Sequence, residues 1–161
     1  MLYISLTASI DTTHRTNVNE MVSSLFNGTV RNILSESRED NYWNIATSCF
    51  VLCPSGLGYD TYRLWETLLL GSIPIVESNA GFDRTYSYLP VLVVKSYSLL
   101  SPALLMRAYE CFTTHQHAFH NEHLTQQYWL GVIDTAVRTA SVDHMRREHP
   151  PRHAVCDFYH G

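Results

Sequence analysis

Arg63 and Glu66 stand three residues apart just behind the run PSGLGYDT (residues 54–61), and that set of residue types suits phosphate and sugar chemistry. Two glycines, Gly56 and Gly58, let a backbone approach a ligand closely or take a positive φ. Asp60 and Thr61 are both types that cap the N-terminus of a helix. The first turn of a helix starting there offers free N–H groups and the positive end of its dipole, which favours phosphate. Arg63, in that first turn, can meet a phosphate through two parallel hydrogen bonds. Glu66, one turn deeper, can accept two hydrogen bonds from ribose hydroxyls, as acidic residues do in dinucleotide sites. The same residues also fit a plainer account, a tight turn followed by an i, i+3 surface ion pair worth about 0.2–0.5 kcal/mol. Spacing alone leaves both open.

The elements that must position these residues are legible on either side. An apolar burst, CFVLC (residues 49–53), precedes the turn, a helix is expected over residues 60–71 with Gly71 as its stop, and IPIV returns to a strand. At 100° per residue, Leu64, Trp65, Leu68 and Leu69 form one broad face assigned to the core, with Arg63, Glu66 and Thr67 opposite. In an open α/β sheet, ligands bind beyond the carboxyl ends of the strands, where such a turn lies. Further strands are expected at residues 2–8, 29–34 and 91–94, and helices at residues 17–26 and 36–48, the latter with Tyr42, Trp43 and Ala46 along its stripe. Residues 11–16 read as a polar loop, and residues 79–90 as a loop with room for one helical turn. Ser101 and Pro102 mark the N-cap and first position of a helical stretch reaching about Thr139, with a break near Asn121. Strands alternating with helices, each strand a continuous apolar run, predict an α/β, Rossmann-like parallel sheet with a helical C-terminal extension. One domain is expected over residues 1–140, and the polar, proline-broken residues 141–161 read as a loosely ordered tail.

Bulk properties narrow the function classes. A chain of 161 residues with 45% hydrophobic and 16% charged residues is the composition of a globular domain. A formal net charge of −4 argues against nucleic acid, which calls for a basic footprint. No apolar run is long enough to span a bilayer, and the opening MLYISLTASI lacks the basic start of a signal peptide. GxSxG and Walker motifs are missing from the sequence, which removes the common hydrolase and P-loop readings. Cys49 and Cys53, at an even offset on one strand, are expected to share a face without bridging, and no CxxC pair suggests zinc. Asn27 opens an NGT sequon. The histidine-rich HQHAFHNEH (residues 115–123) sets His117, His120, Glu122 and His123 close together, but on a helix His115 and His117 diverge by about 200°. It therefore reads as a solvated helix face, and no metal site is expected.

The wording of residues 54–76, PSGLGYDTYRLWETLLLGSIPIV, goes further than its spacing: it resembles the donor-binding signature of exostosin-like glycosyltransferases, including the ribitol xylosyltransferase type. The pattern is matched by Pro54, Gly56, Gly58, Asp60, Tyr62, Arg63, Trp65, Glu66, Leu68, Gly71, Ile73, Pro74, Ile75 and Val76. The resemblance covers residues 42–105 well and the C-terminal third poorly. It implies a GT-B architecture, in which a nucleotide-sugar, of the UDP class, lies in the cleft between two Rossmann-like domains, this chain being the C-terminal, donor-binding half. Arg63 would then contact the pyrophosphate and Glu66 the ribose. Gly56, Gly58, Asp60 and Thr61 would lie beneath the phosphates, and Glu77 at a strand end would meet the sugar. No cofactor is implied, and without an Asp-x-Asp triplet a metal-bridged donor is not expected. A hydroxyl on a glycan would be the acceptor, an N-terminal acceptor domain would lie outside the chain, and the whole protein would reside in the Golgi. From this chain the candidate base is His14, which with Arg15 is expected in the loop after the first strand. The alternative is a non-catalytic nucleotide-binding or interaction domain built on the same fold.

Overall fold

A computed structural model of the chain describes residues 2–4, 12–27, 31–32, 37–139 and 156. Five parallel strands, β1 (Leu2–Ile4), β2 (Arg31–Asn32), β3 (Phe50–Leu52), β4 (Ile73–Glu77) and β5 (Leu92–Val94), form one sheet in the order β2-β1-β3-β4-β5. Helices α1 (Thr12–Leu25), α2 (Arg38–Ala46), α3 (Tyr62–Leu69), α4 (Asp83–Tyr86), α5 (Pro102–Thr114) and α6 (Gln126–Thr139) connect and cover them. This is the Rossmann-like α/β architecture, with a helical C-terminal region, that the strand–helix alternation predicts.

The central strands β3 and β4 are buried on both faces, and alternation along them assigns each side its residues. Phe50, Leu52, Ile73 and Ile75 pack with Val18 and Val22 of α1 and with Leu105 and Ala108 of α5. Val51, Cys53 and Val76 point the other way, onto Ile45 of α2 and Leu64 and Leu68 of α3. The register Phe50↔Ile73, Leu52↔Ile75 keeps these two sets in line across the central strands.

Local chemistry sets the helix ends. Gly71, at φ 82°, closes α3: its N–H donates to Leu68 O (3.1 Å) and that of Ser72 to Thr67 O (3.0 Å), the paired bonds of a Schellman stop. The Ser72 hydroxyl then lies 2.7 Å from Ile45 O and 2.8 Å from Ser48 O, tying the end of α3 to the end of α2. Ser101 caps α5 as its type predicts, its hydroxyl accepting from Leu104 N–H at 3.2 Å.

Five expectations are corrected. Helix α1 begins at Thr12, not near Asn17, so His14 and Arg15 lie on a helix rather than in a loop. On α2 the buried residues are Asn44 and Ile45, while Trp43 is 70% exposed and Ala46 is exposed as well. On α3 the core face is Leu64, Thr67 and Leu68, with Leu69 exposed: Thr67 turns inward because its hydroxyl donates to Arg63 O (2.6 Å) and lies 3.7 Å from Cys53 Sγ. The histidine-rich segment is not one helix, since α5 stops at Thr114 and two short 3₁₀ turns, Gln116–Ala118 and Asn121–Leu124, follow. Cys49 and Cys53 are both free but do not share a face, because Cys49 precedes the regular pleat of β3 and packs on the α1/α5 side. The tail, residues 141–161, lies outside the described residues apart from Cys156, which is disulfide-bonded to Cys111 on α5.

Candidate functional site

The chain runs from β1 to one edge of the sheet at β2, then returns to build β3, β4 and β5 on the other side, so the strand order reverses between β1 and β3. Doubly wound sheets bind ligands at such a reversal, in the crevice outside the carboxyl ends of the two strands. Two elements meet there: the start of α1, which follows β1, and the turn of residues 54–61, which follows β3.

Arg15 joins them. Its Nε donates to Ser55 O at 3.2 Å, and its guanidinium lies over Gly56, where an added Cβ would come within 2.7 Å of Arg15 Nη2. Gly56 is thus a glycine of close approach, and the approaching group is a cation of the chain itself. The turn closes through Gly56 N–H to Gly58 O (3.0 Å). Neither glycine needs a positive φ, as the positive-φ glycine among the described residues is Gly71. Around Gly58 a Cβ would meet nothing within 4 Å, and Leu57, Tyr59 and Tyr62 are exposed, so the rim of the turn faces open space.

The start of α3 has no side-chain cap. Thr61 holds the N-cap position with extended backbone, but its hydroxyl makes no capping bond and is buried without a partner among the described residues. Asp60 is committed elsewhere, accepting from Trp65 Nε1 at 2.6 Å. Leu64 N–H closes the first turn onto Thr61 O (3.1 Å), and the Tyr62 and Arg63 N–H groups are left for water or a ligand. Arg63 and Glu66 do not pair with each other. Arg63 Nη1 donates to Asn41 Oδ1 (2.6 Å) and Glu66 Oε1 accepts from Tyr42 Oη (3.2 Å), so α2 holds both side chains in place.

A cleft of about 20 Å³ lies beside the turn, lined by Ser55, Tyr59, Glu77, Asn79, Tyr86 and Tyr97. Glu77, at the end of β4, has Oε1 occupied by Tyr97 N–H (2.9 Å). Tyr97 is buried and donates its hydroxyl to Cys53 O at 3.3 Å. The Tyr86 hydroxyl is buried with no hydrogen-bond partner among the described residues. Burial, reinforced by the nearby Asp60 and Asp83 charges, pushes the Tyr86 phenol up to about 12, and burial holds that of Tyr97 well above its usual range. The Cys53 thiol is likewise pushed up to about 12 by burial. At neutral pH the two phenols and the Cys53 thiol therefore keep their protons, and of these the Tyr86 hydroxyl is the one with a donor left to offer.

Sequence-selected Gly56, Gly58, Asp60, Thr61, Arg63 and Glu66 fall on the turn and its helix, and Glu77 on the adjoining cleft. His14 lies on α1, one residue before Arg15, and its side chain is outside the described residues. Arg15 was legible only as a possible neighbour of the cleft, and its seat on Gly56 had no local signal because it joins residues about 40 apart. Tyr86 carried a weak one: it follows Phe82 by four residues, and their rings stack 6.3 Å apart.

Residues 12–98 match the model of the RXYLT1 C-terminal domain, more than half of the chain. The match runs from the start of α1 past β5, so it includes the glycine turn, α3 and the cleft, and leaves α5 and α6 outside. A search of curated proteins finds no match. The family is related to glycosyltransferases, in keeping with the exostosin-like wording of residues 54–76. The chain belongs to the RXYLT1 C-terminal domain family.

Proposed function

We propose that this chain is the donor-binding part of a glycosyltransferase, which moves a sugar from a nucleotide-sugar of the UDP class to a hydroxyl of a glycan. The observation that carries this reading is the uncapped start of α3 beside Arg15 and Gly56 at the reversal point of the sheet. The Tyr62 and Arg63 N–H groups and the helix dipole at one end of the turn, with the Arg15 guanidinium at the other, would suit a diphosphate lying along it. Arg63 would supply a second guanidinium and Glu66 an acceptor for ribose hydroxyls, both steadied by α2. A cleft of about 20 Å³ holds roughly one water rather than a nucleotide. The donor would therefore lie across its rim, with an acceptor domain as the opposite wall.

In the reaction the acceptor oxygen forms a bond to the anomeric carbon while the bond from that carbon to the diphosphate breaks. The electron pair leaves on the nucleoside diphosphate, and the acceptor proton passes to a base. Arg15, Arg63 and the α3 dipole would favour the step by stabilising the charge that develops on the leaving group. Glu77 and the Tyr86 hydroxyl would face the sugar from the cleft. The Cys111–Cys156 disulfide supports an oxidising compartment such as the Golgi lumen, since such bonds persist there and are reduced in the cytosol.

The test joins the chain to an acceptor domain of the family and follows release of UDP from UDP-sugars in the presence of glycan acceptors. Release that depends on both acceptor and Arg63 supports transfer. Donor binding with no release under any acceptor would favour a non-catalytic nucleotide-binding module instead.

A further inference from the structure

The connection between α5 and α6 brings His120, Glu122 and His123 together, whereas an α-helix would keep the two histidines on one face and turn Glu122 away from His120. In the 3₁₀ turn Asn121–Leu124, His123 N–H donates to His120 O at 2.9 Å. Residues three apart eclipse one another in such a turn. The His120 and His123 rings accordingly stack, 5.4 Å apart and 23° from parallel. Glu122 reaches back so that its Oε1 lies 2.7 Å from His120 Nδ1. One donor atom from each of the three residues lies within 4.8 Å of the other two.

The surroundings hold this arrangement. His120 N–H donates to Tyr88 O (2.9 Å), and the Tyr88 ring stands edge-on to both imidazoles at 5.7 and 5.2 Å. Tyr128 of α6 packs on His123 at 4.1 Å, and Trp129 Nε1 donates to His123 O at 2.9 Å. The backbone and the His123 ring are thereby fixed from two sides, while Glu122 and His120 keep the exposure a ligand exchange needs.

We propose that His120, Glu122 and His123 bind a divalent transition-metal ion of the zinc class. A tetrahedral ion about 2.0–2.2 Å from each ligand sets neighbouring donor atoms roughly 3.3 Å apart, which small rotations of these side chains reach. Two imidazole nitrogens and one carboxylate select zinc, copper or nickel over magnesium or calcium, which take all-oxygen sets. Three protein ligands leave a fourth position for water. The ion would clamp the α5–α6 connection against Tyr88, in the segment that follows α4. The site stands independently of the donor-binding reading, since it uses none of the residues at the glycine turn.

The test is calorimetric titration of the untagged chain with zinc chloride. The variants are His120→Ala, His123→Ala and Glu122→Gln, with a His115→Ala/His117→Ala double variant to control for other surface histidines. Circular dichroism establishes that each variant is folded. The proposal expects one equivalent bound by the parent chain, at least ~10-fold weaker binding in each ligand variant, and unchanged binding in the control. Cobalt(II) should give the visible absorption of a four-coordinate ion, lost in His123→Ala. Absence of zinc binding to the folded parent chain overturns the proposal. So does binding that survives the ligand variants or disappears in the control.

Discussion

Replacing Tyr86 with phenylalanine separates a structural role of this side chain from a ligand-facing one. Tyr86 is 4% exposed, lines the cleft, and keeps a buried hydroxyl without a partner among the described residues. Burying such a group costs about 1–3 kcal/mol, so deleting the oxygen should stabilise the protein. The cleft volume of about 20 Å³ suffices for one water, which would recover part of that cost, so the lower end, about 1 kcal/mol, is expected. For a domain of this size each kcal/mol shifts the thermal midpoint by about 2–4 °C, and the Tyr86→Phe variant should melt that much higher. The same variant should bind a UDP-sugar about 10-fold more weakly if the hydroxyl meets the sugar, with UDP itself bound as before. Calorimetric melting with and without the two ligands reads both quantities. A variant that melts several degrees lower would refute the reasoning, because the hydroxyl would then have a structural partner.

Three further outcomes follow from the same geometry. Gly56→Ala drives a methyl group to within 2.7 Å of Arg15 Nη2; the guanidinium can move, so the fold should lose only about 0.5–1.5 kcal/mol with the Arg15–Ser55 bond, while diphosphate affinity falls more steeply, as paired melting and binding curves would reveal. Replacing Cys111 and Cys156 with serine opens a loop of sequence separation 45 and should cost about 2–4 kcal/mol, measurable by urea unfolding with the parent chain under reducing and oxidising conditions. Cys53 and Tyr86 hold their protons to about 12 in the folded state against ordinary values of 9.0 and 10.0. A raised folded value means stability complete below pH 9 and lost as pH rises from there toward 12, a slope that Cys53→Ala should flatten in pH-dependent unfolding.

Much of the fold could be read from the chain because each decisive element carries its own local punctuation. CFVLC and IPIV are apolar on both faces, as a covered parallel sheet demands, and Gly71 and Ser101 mark a helix stop and a helix start by conformation and side-chain chemistry. Errors arose where a tertiary partner overrode a pattern. Thr67 looks polar and outward until its hydroxyl is satisfied by Arg63 O, and Trp43 looks like core until Ile45 takes that place. The start of α1 has no signal in the sequence because Thr12 to Thr16 carry no apolar period, yet that turn delivers Arg15 to Ser55. The histidine segment carries a helical spacing but breaks into two 3₁₀ turns; an α-helix would also neighbour His120 and His123, and it is Glu122 that the turn brings back to them. In the site itself the residue types around Gly56–Glu66 were informative, whereas the restraint of Arg63 and Glu66 by α2 depends on contacts more than twenty residues apart in sequence.

The central claim is that the glycine turn and the start of α3 receive a nucleoside diphosphate, and calorimetric titration of the chain with UDP, GDP and ADP tests it most directly. Selective binding of UDP, weakened about 10-fold or more in both Arg63→Ala and Glu66→Ala with their folds intact, is the predicted result. Equal affinity of the parent chain and the two variants for every diphosphate, or no binding by a folded chain even when joined to an acceptor domain, would contradict it.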